Sequence, residues 1–197
     1  MIIDFTTIST PLNTCSIGAI ENNICWFSFN DEGDKLASFV KSFNEGLKSK
    51  KNIDTIDIIA KANSILANNL LTGGLELKEN KNAFSETIQI LEKYFNGVKT
   101  DFTTIKTIYL SGTEFHHKIW DSLKTIKYGT TISYKELATM AGSPKAYRAA
   151  GNANGLNMIP LIIPCHRVIK TDGTPGGYSG GVDIKIKLLK VEGITSF

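Results

Sequence analysis

One apolar run of this chain ends in chemically active side chains, and it reads Ile159-Pro160-Leu161-Ile162-Ile163-Pro164-Cys165-His166-Arg167-Val168. Its first half predicts a buried strand, because short continuous apolar runs are typical of strands in a protein core. A proline cannot donate a hydrogen bond to a sheet, so Pro164 is expected to end the strand. Cys165 should then lie at a sheet edge that a ligand can reach.

Cys165 is a candidate nucleophile because of its neighbours. A free cysteine alone is more often a small buried hydrophobe than a catalytic residue. The thiolate is the reactive form and the free thiol has a pKa of about 8.5, so a base such as His166 and a cation such as Arg167 favour its formation. Consecutive side chains of an extended backbone point to opposite faces. We therefore expect a water, or a bend after Pro164, to connect Cys165 with His166.

The composition is that of a globular protein. Its 197 residues suit one domain of ordinary size or two small ones. The start, Met1–Phe5, lacks the basic and apolar regions of a signal peptide, and no apolar run approaches membrane-spanning length. Three cysteines argue against a disulfide framework and for a reducing compartment. A cytoplasmic location is expected, near the nucleoid, or in the nucleus of a eukaryote.

The sequence predicts no metal site. Cys15 and Cys25 form no CxxC pattern, and no histidine precedes His116. His116 and His117 lie in the first turn of a predicted helix and, being adjacent, face different directions. We expect them to pack or to lie at the surface rather than to bind metal.

Positive charge is concentrated in the second half of the chain. The net charge is +3 overall, but −2 over residues 1–100 and +5 over residues 101–197. The second half is the one expected to meet a polyanion, although a solvated lysine-rich face explains a charge of this size equally well. The chain uses Lys 20 times and Arg twice, at Arg148 and Arg167. The planar guanidinium is therefore confined to two stretches.

Hydrophobic periodicity predicts an α/β (α+β) fold in two domains. An amino-terminal domain over residues 1–97 combines a small β-sheet with helices, and residues 98–112 form a β-like linker. A mostly helical domain then covers residues 113–197. The expected strands lie in Met1–Ile8 and Cys15–Phe29. Helices should begin near Asp34, Asp54 and Ser85, with a loop over residues 71–82, and later at Thr113, Ser133, Pro144 and Asp183.

Two short helices around a glycine-containing turn predict a helix-turn-helix. Ser133 and Glu136 have the spacing of a capping box, so the first helix should begin at Ser133. Pro144 suits the first position of the second helix, which is usually the one that contacts DNA. The alanines of that helix have two equally good explanations, close approach to DNA or packing in the core. They are Ala146, Ala149, Ala150 and Ala153.

Residues 173–181 contain too many glycines for a strand and predict a loop. Such a loop offers backbone NH groups and a hydroxyl, as the wall of a hydrogen-bonding pocket does. A plain surface loop explains the same composition.

This combination resembles the O6-alkylguanine-DNA alkyltransferases. The likeness rests on Asn157, on Ile162–Val168, on Tyr178–Gly181 and on Glu192-Gly193, and it covers residues 111–193 with spacings that need no gaps. The amino-terminal third matches only in gross layout. The family implies repair of DNA by direct reversal, a single-turnover transfer of the alkyl group from O6-alkylguanine to an internal cysteine. Base flipping is implied, and a cofactor is not.

The resemblance also implies roles for individual residues. Cys165 matches the alkyl acceptor, His166 the base that takes its proton through a water, and Glu192 the carboxylate that orients the imidazole. Asn157 matches the side chain that braces the cysteine turn, and Tyr134 the hydroxyl that donates to guanine as its oxygen leaves. Lys185, Ser179, Tyr178 and Val168 match substrate-binding positions, while Arg148, which fills the stack in place of the target base, Ala149, Tyr147, Ser133 and Tyr134 match DNA-binding ones.

The implied partner is double-stranded DNA containing O6-alkylguanine, bound through its minor groove by a monomer, with no membrane involved. Two departures from the family are visible. Asn154-Gly155 stands where relatives often carry bulkier or basic residues, and the amino-terminal metal ligands of some relatives are absent.

Three other functions are compatible with parts of the pattern. A non-catalytic alkylguanine-binding protein of the same family would lack the acceptor, and Cys165 is present. A cysteine hydrolase would turn over repeatedly, whereas the implied transferase stops after one alkyl group. A helix-turn-helix regulator would bind a chosen DNA sequence and be indifferent to replacement of Cys165.

Overall fold

A four-stranded sheet opens the chain. The structure is a computed structural model and describes residues 1–31, 33–48 and 73–196. The strand order is β3-β2-β1-β4, with β1 antiparallel to β2, β2 antiparallel to β3, and β4 parallel to β1. The strands are β1 (Ile2–Ser9), β2 (Thr14–Ile20), β3 (Asn23–Phe29) and β4 (Glu76–Glu79).

Strand β4 corrects the loop that was expected over residues 71–82. Its sequence, Glu-Leu-Lys-Glu, has a single apolar residue and no β-branched one. It is extended because it pairs with β1, from Ile2 opposite Glu76 to Phe5 opposite Glu79. Pairing with an existing strand thus outweighs a weak intrinsic preference.

The first helix, Asp34–Lys48, lies between β3 and β4 in the chain, and the other described helices follow β4. The helix expected near Asp54 lies outside the described residues. A short two-stranded ladder joins β5 (Ile132–Ser133) to β6 (Val168–Ile169) in parallel. The helices are α1 (Asp34–Lys48), α2 (Ser85–Phe95), α3 (Glu114–Lys124), α4 (Tyr134–Met140), α5 (Tyr147–Gly155) and α6 (Val182–Val191).

The start of α4 agrees with its prediction, whereas that of α5 does not. Ser133 and Glu136 form the capping box, with Ser133 N donating to Glu136 Oε2 at 2.7 Å. Helix α5 begins at Tyr147, three residues later than predicted. Residues 143–146 instead close a single turn, in which Ala146 N donates to Ser143 O at 2.8 Å. The turn satisfies Ala146 locally, so the helical hydrogen bonds begin only after it.

One hydrophobic core joins the sheet to the carboxy-terminal helices. Phe27 of β3, Tyr94 of α2, Trp120 of α3 and Ile163 belong to the same buried cluster. A second buried cluster packs α1 against sheet residues that are not part of the first cluster. The division of the chain at residues 97 and 112 stays a prediction.

The segment between α2 and α3 is partly extended, in agreement with the β-like character predicted for residues 98–112. Ile24 N donates to Lys106 O at 2.8 Å, and Ile108 N donates to Ile24 O at 2.9 Å. The segment therefore lies along β3 and leads the chain to the site below. Within the described ranges, no helix is long and apolar enough to cross a bilayer.

Candidate active site

The turn that carries the candidate nucleophile is not the predicted strand. Residues 159–163 form a tight buried turn, with Leu161 at a left-handed φ of 74°. Cys165–Arg167 then form a 3₁₀ turn directly after Pro164. The strand prediction is wrong because two prolines interrupt the donors of the run and the backbone folds onto itself. The chain does bend after Pro164, but the bend does not join His166 to Cys165, since Nε2 of His166 binds Glu192 and Nδ1 has no partner among the described residues.

Two buried asparagines brace this turn. Nδ2 of Asn157 donates to Ile163 O at 2.8 Å, and its Oδ1 accepts from Ile159 N at 3.0 Å. Asn154, at the end of α5, donates to Cys165 O at 3.5 Å. Asn157 therefore ties the two arms of the turn together, a geometry that suits the bracing role implied by the resemblance.

The Cys165 thiol lies inside the protein rather than at an accessible edge. The residue is only 2% exposed. Burial raises the pKa of the thiol to about 11, although Asn157, the Lys185 cation and the Tyr178 hydroxyl act in the opposite direction. With such a pKa, about one thiol in 10⁴ is ionised at neutral pH. Reaction at this sulfur therefore requires a base.

His166 is placed to serve as that base. Its side chain is completely buried, and Nε2 lies 2.7 Å from Oε1 of Glu192. A proton on Nε2 satisfies the carboxylate and leaves the lone pair on Nδ1, which has no hydrogen-bond partner among the described residues. Burial lowers the pKa of His166, and Arg167 and Lys185 lower it further against the effect of Glu192. The imidazole is therefore neutral near pH 7 and can accept a proton.

The Glu192 carboxylate is the centre of a buried network. Burial alone would raise its pKa, but His166 and Arg167 lower it to about 2, so the group is ionised. Its side chain is fully enclosed, and each of its two oxygens accepts more than one hydrogen bond. The donors are Tyr94 Oη at 3.0 Å, Gly129 N at 3.0 Å, His166 Nε2 at 2.7 Å, and Arg167 Nε at 2.9 Å and Nη2 at 3.0 Å.

Lys185 places a cation near the sulfur. The residue is fully buried on α6, and Nζ donates to Val168 O and, at 3.4 Å, to Gly177 O. Burial lowers the pKa of its ammonium to about 8. At neutral pH the group is therefore still mostly charged, and it favours the thiolate of Cys165.

Two tyrosines and the glycine loop line the region beside the sulfur. The residues of the loop, 173–181, form neither helix nor strand, as predicted. Burial and the nearby Cys165 raise the pKa of both Tyr134 and Tyr178. Gly176 has a φ of 72°, and a Cβ atom there would lie 3.0 Å from Tyr134 Oη. Ser179 is exposed on the same loop.

Helix α5 exposes the side chains that were expected to contact DNA. Tyr147 is 46% exposed, Arg148 and Ala149 are also exposed, and the Arg148 guanidinium lies 5.9 Å from the Tyr147 ring centroid. Each of the two explanations for the alanine stripe holds for some of its members. Ala150 and Ala153 are completely buried in the core, whereas Ala149 faces outward.

The two adjacent histidines have structural roles, as predicted. His116 Nδ1 accepts from Thr113 N at 3.2 Å and so completes the cap of α3. His117 Nε2 lies 2.8 Å from Ser111 O, and both imidazoles stack on Trp120. The described residues contain no group of three or more side chains that could hold a metal ion.

Three partners of Glu192 were not foreseen. Arg167 also donates through Nη1 to Ile126 O, so its guanidinium is wholly engaged in the interior. The rarity of arginine in this lysine-rich chain is a signal in the sequence that Arg167 has a specific role. Tyr94 and Gly129 had no local signal, since only the tertiary fold brings them to the carboxylate.

Comparison with known proteins gives a consistent answer. Residues 114–194 match the family model described as the DNA binding domain of 6-O-methylguanine DNA methyltransferase. The methylated-DNA--protein-cysteine methyltransferase of Methanosarcina barkeri is 48% identical over 114 residues, which cover 58% of this chain and 71% of the relative. The protein of that name from Kluyveromyces lactis is 39% identical over 153 residues, which cover 75% of this chain and 80% of the relative.

The fold is shared as well. The crystal structure of Mycobacterium tuberculosis OGT in complex with DNA superposes with a TM-score of 0.68 at 27% identity, covering 98% of this chain and 94% of that one. This likeness confirms the mixed α/β fold class. The chain therefore belongs to the family of the methylated-DNA--protein-cysteine methyltransferases.

Proposed function

We propose that this chain repairs DNA by moving the alkyl group of O6-alkylguanine onto Sγ of Cys165. The observation that carries the proposal is the buried series Cys165, His166 and Glu192, set in a chain whose relatives bear the name of this activity. Burial keeps the thiol protonated, while the imidazole is neutral and the carboxylate is ionised. A protonated thiol needs a base to become a nucleophile, and a neutral imidazole oriented by an anion can serve as that base.

The proposed reaction begins with removal of the thiol proton. Nδ1 of His166 accepts it through a water, because this nitrogen is buried, carries the lone pair and has no partner among the described side chains. Glu192 fixes the tautomer and stabilises the imidazolium that results. Lys185 stabilises the thiolate.

The thiolate then displaces the guanine oxygen from the alkyl carbon. A sulfur–carbon bond forms as the carbon–oxygen bond breaks, and the departing base takes up a proton that Tyr134 donates. Tyr134 then regains a proton from the His166 imidazolium through water, so that the thiol proton ends on guanine and the alkyl group on sulfur. Tyr178, Val168 and Ser179 are proposed to line the pocket that holds the base.

The displacement needs no cofactor, because the thiolate and the leaving group account for the whole reaction. No step regenerates the thiol from the thioether, so each chain acts once.

The target base must leave the duplex to reach this buried sulfur. Rotating a nucleotide out of the stack costs a few kcal/mol, on the order of what an inserted side chain can offset. We assign α4 and α5 as a helix-turn-helix that enters the minor groove, with Arg148 inserted and Ala149, Tyr147, Ser133 and Tyr134 against the strand. The chain is proposed to act as a monomer, in the cytoplasm or wherever the cell keeps its DNA.

The test of this function is the fate of a labelled methyl group. The chain is incubated with duplex DNA that carries one O6-[methyl-¹⁴C]methylguanine, and its peptides are then mapped by mass spectrometry. We expect one label per chain, located on Cys165. Label that is released as methanol, or turnover beyond one equivalent, would support a hydrolase and exclude the proposal.

Replacing Arg148 by alanine should slow repair of duplex DNA much more than reaction with the free base O6-benzylguanine. The free base needs no flipping, whereas the duplex loses the side chain that fills its stack. We expect the duplex rate to fall about tenfold or more, the equivalent of roughly 1.4 kcal/mol, and the free-base rate to change less than twofold.

Lys145→Ala is the matched control for Arg148→Ala, since it removes an exposed cation from the turn before α5. It should weaken DNA binding only modestly and should not separate the two substrates. Equal losses on both substrates in Arg148→Ala would remove this residue from the flipping role.

A further inference from the structure

Tyr94 brings a hydroxyl from the amino-terminal part of the chain into the active site. It lies on α2, is completely buried, and packs against Phe102 and Tyr128 with ring centroids 5.2 Å and 5.9 Å away. Its Oη donates to Oε1 of Glu192 at 3.0 Å. The ring accounts for the packing, but a phenylalanine would pack equally well. The hydroxyl therefore needs a separate explanation.

The hydroxyl shares its acceptor with the proposed base. Oε1 of Glu192 also accepts from His166 Nε2 at 2.7 Å and from Arg167 Nη2 at 3.0 Å. A second donor on this oxygen reduces the negative charge that the oxygen presents to the imidazole. A buried hydroxyl without a partner is costly, and the other acceptor near Tyr94, Leu188 O, is more distant at 3.5 Å.

We infer that Tyr94 is a positioning residue, through which the amino-terminal part of the chain sets the orientation and basicity of His166 by way of Glu192. The inference rests on the proposed function of the Cys165 site. It assigns the amino-terminal part a role in the chemistry beyond packing.

The charged and titratable groups around this network are few. Glu192 faces His166, Arg167, Tyr94 and, more weakly, Tyr128. His166 faces Glu192, Arg167 and Lys185. Burial and the Glu192 charge raise the pKa of Tyr94 far above its usual value, so its hydroxyl stays a donor at every working pH.

Tyr94→Phe should shift the proton affinity of His166 upward. Without the hydroxyl, Oε1 carries more charge and stabilises the imidazolium more strongly. The acid limb of the pH–rate profile for alkylation should move to higher pH, by about half a unit. The rate at pH 7 should also fall about three- to tenfold, because a Glu192 carboxylate with one donor fewer holds the imidazole less firmly in the orientation that reaches the thiol proton.

Tyr128→Phe is the matched control. Its hydroxyl donates at 2.7 Å to Val191 O, the backbone oxygen next to Glu192, and not to the carboxylate. Like Tyr94→Phe, this substitution removes one hydroxyl from the aromatic cluster in which the two tyrosines pack together. We expect any shift of its pH–rate profile to be well below that of Tyr94→Phe, because the Tyr128 hydroxyl does not donate to the carboxylate.

The titration of His166 itself gives a readout that needs no substrate. The unreacted protein, labelled with ¹⁵N at histidine, is titrated by NMR without DNA, and the midpoint for His166 should be higher in Tyr94→Phe. Incorporating 3-fluorotyrosine at position 94 should move it the opposite way, because the more acidic phenol is a stronger donor. This second change keeps ring and hydroxyl, so the fold is preserved.

Unchanged His166 midpoints in both altered proteins would overturn the inference, and so would an equal shift in Tyr128→Phe. Failure of the proposed function has a different signature, since the unaltered chain would then transfer no methyl group while the NMR titration still reports on Tyr94.

Discussion

Cys165→Ala is expected to abolish transfer of the methyl group from O6-methylguanine DNA while leaving DNA binding within about twofold of the unaltered chain. The substitution removes the only atom proposed to form a bond with the alkyl carbon, so no slower route is available through the same site. The side chain lies on a buried turn, away from the exposed residues of α5. Labelled-methyl transfer and fluorescence anisotropy with the same duplex measure the two effects.

The matched control for Cys165→Ala is Cys25→Ala. Cys25 is also a buried free thiol, 1% exposed, but it lies on β3 in the second hydrophobic cluster. Truncating it costs packing energy of about 1 kcal/mol and should leave transfer intact. Methyl transfer by Cys165→Ala, or its loss in Cys25→Ala, would show that the acceptor has been misassigned.

The reactive motif could be read from the sequence because its members are close along the chain. Cys165, His166 and Arg167 are consecutive, and the chain bends after Pro164 as one of the two alternatives expected, although the bend brings no contact between Cys165 and His166. Glu192 was reached only through the family resemblance. Spacing alone says nothing of the 2.7 Å bond that joins it to His166 across 26 residues.

Other features depend on pairing at a distance and left no local signal. Strand β4 is extended because β1 offers it an edge, and Glu76–Glu79 has no strand pattern of its own. Tyr94 and Glu192 meet across 98 residues of sequence. In the sequence, Tyr94 fits the apolar face of α2 and gives no hint that its hydroxyl has a polar partner.

The alanine stripe shows where two explanations were both needed. Helical periodicity placed its members on one face but could not say which side of the helix meets the core. In the fold, Ala150 and Ala153 are buried while Ala149 faces outward. Small side chains thus allow close packing in the core on one edge of the stripe, and on the other edge they leave a surface without protruding side chains.

Glu192→Gln is expected to slow alkylation by about 10²- to 10⁴-fold, the range that general base catalysis contributes. A glutamine amide is neutral, and its NH₂ group faces donors from which the carboxylate had accepted hydrogen bonds. The imidazole then loses the anion that fixes the proton on Nε2, and Nδ1 of His166 is no longer held as the acceptor. Single-turnover rates on O6-methylguanine DNA measure this loss, at a temperature where circular dichroism shows both proteins folded.

The same substitution should also lower the free energy of unfolding by about 3–5 kcal/mol near pH 7, because Arg167 becomes a buried cation without its counter-ion. The pKa of Glu192 is lowered to about 2 in the folded chain from an ordinary 4.5. Its stabilising effect is therefore complete above pH ~5 and disappears as the pH falls toward 2. The difference between the two proteins should narrow over that interval in urea titrations.

Glu86→Gln serves as the control for both measurements, since Glu86 is exposed in the first turn of α2 and remote from the network. It should change stability by less than about 0.5 kcal/mol and leave the alkylation rate unaltered. If Glu192→Gln lost stability but alkylated at the normal rate, the carboxylate would only hold Arg167 in the interior, and the proton of Cys165 would have to leave by a route that does not involve His166.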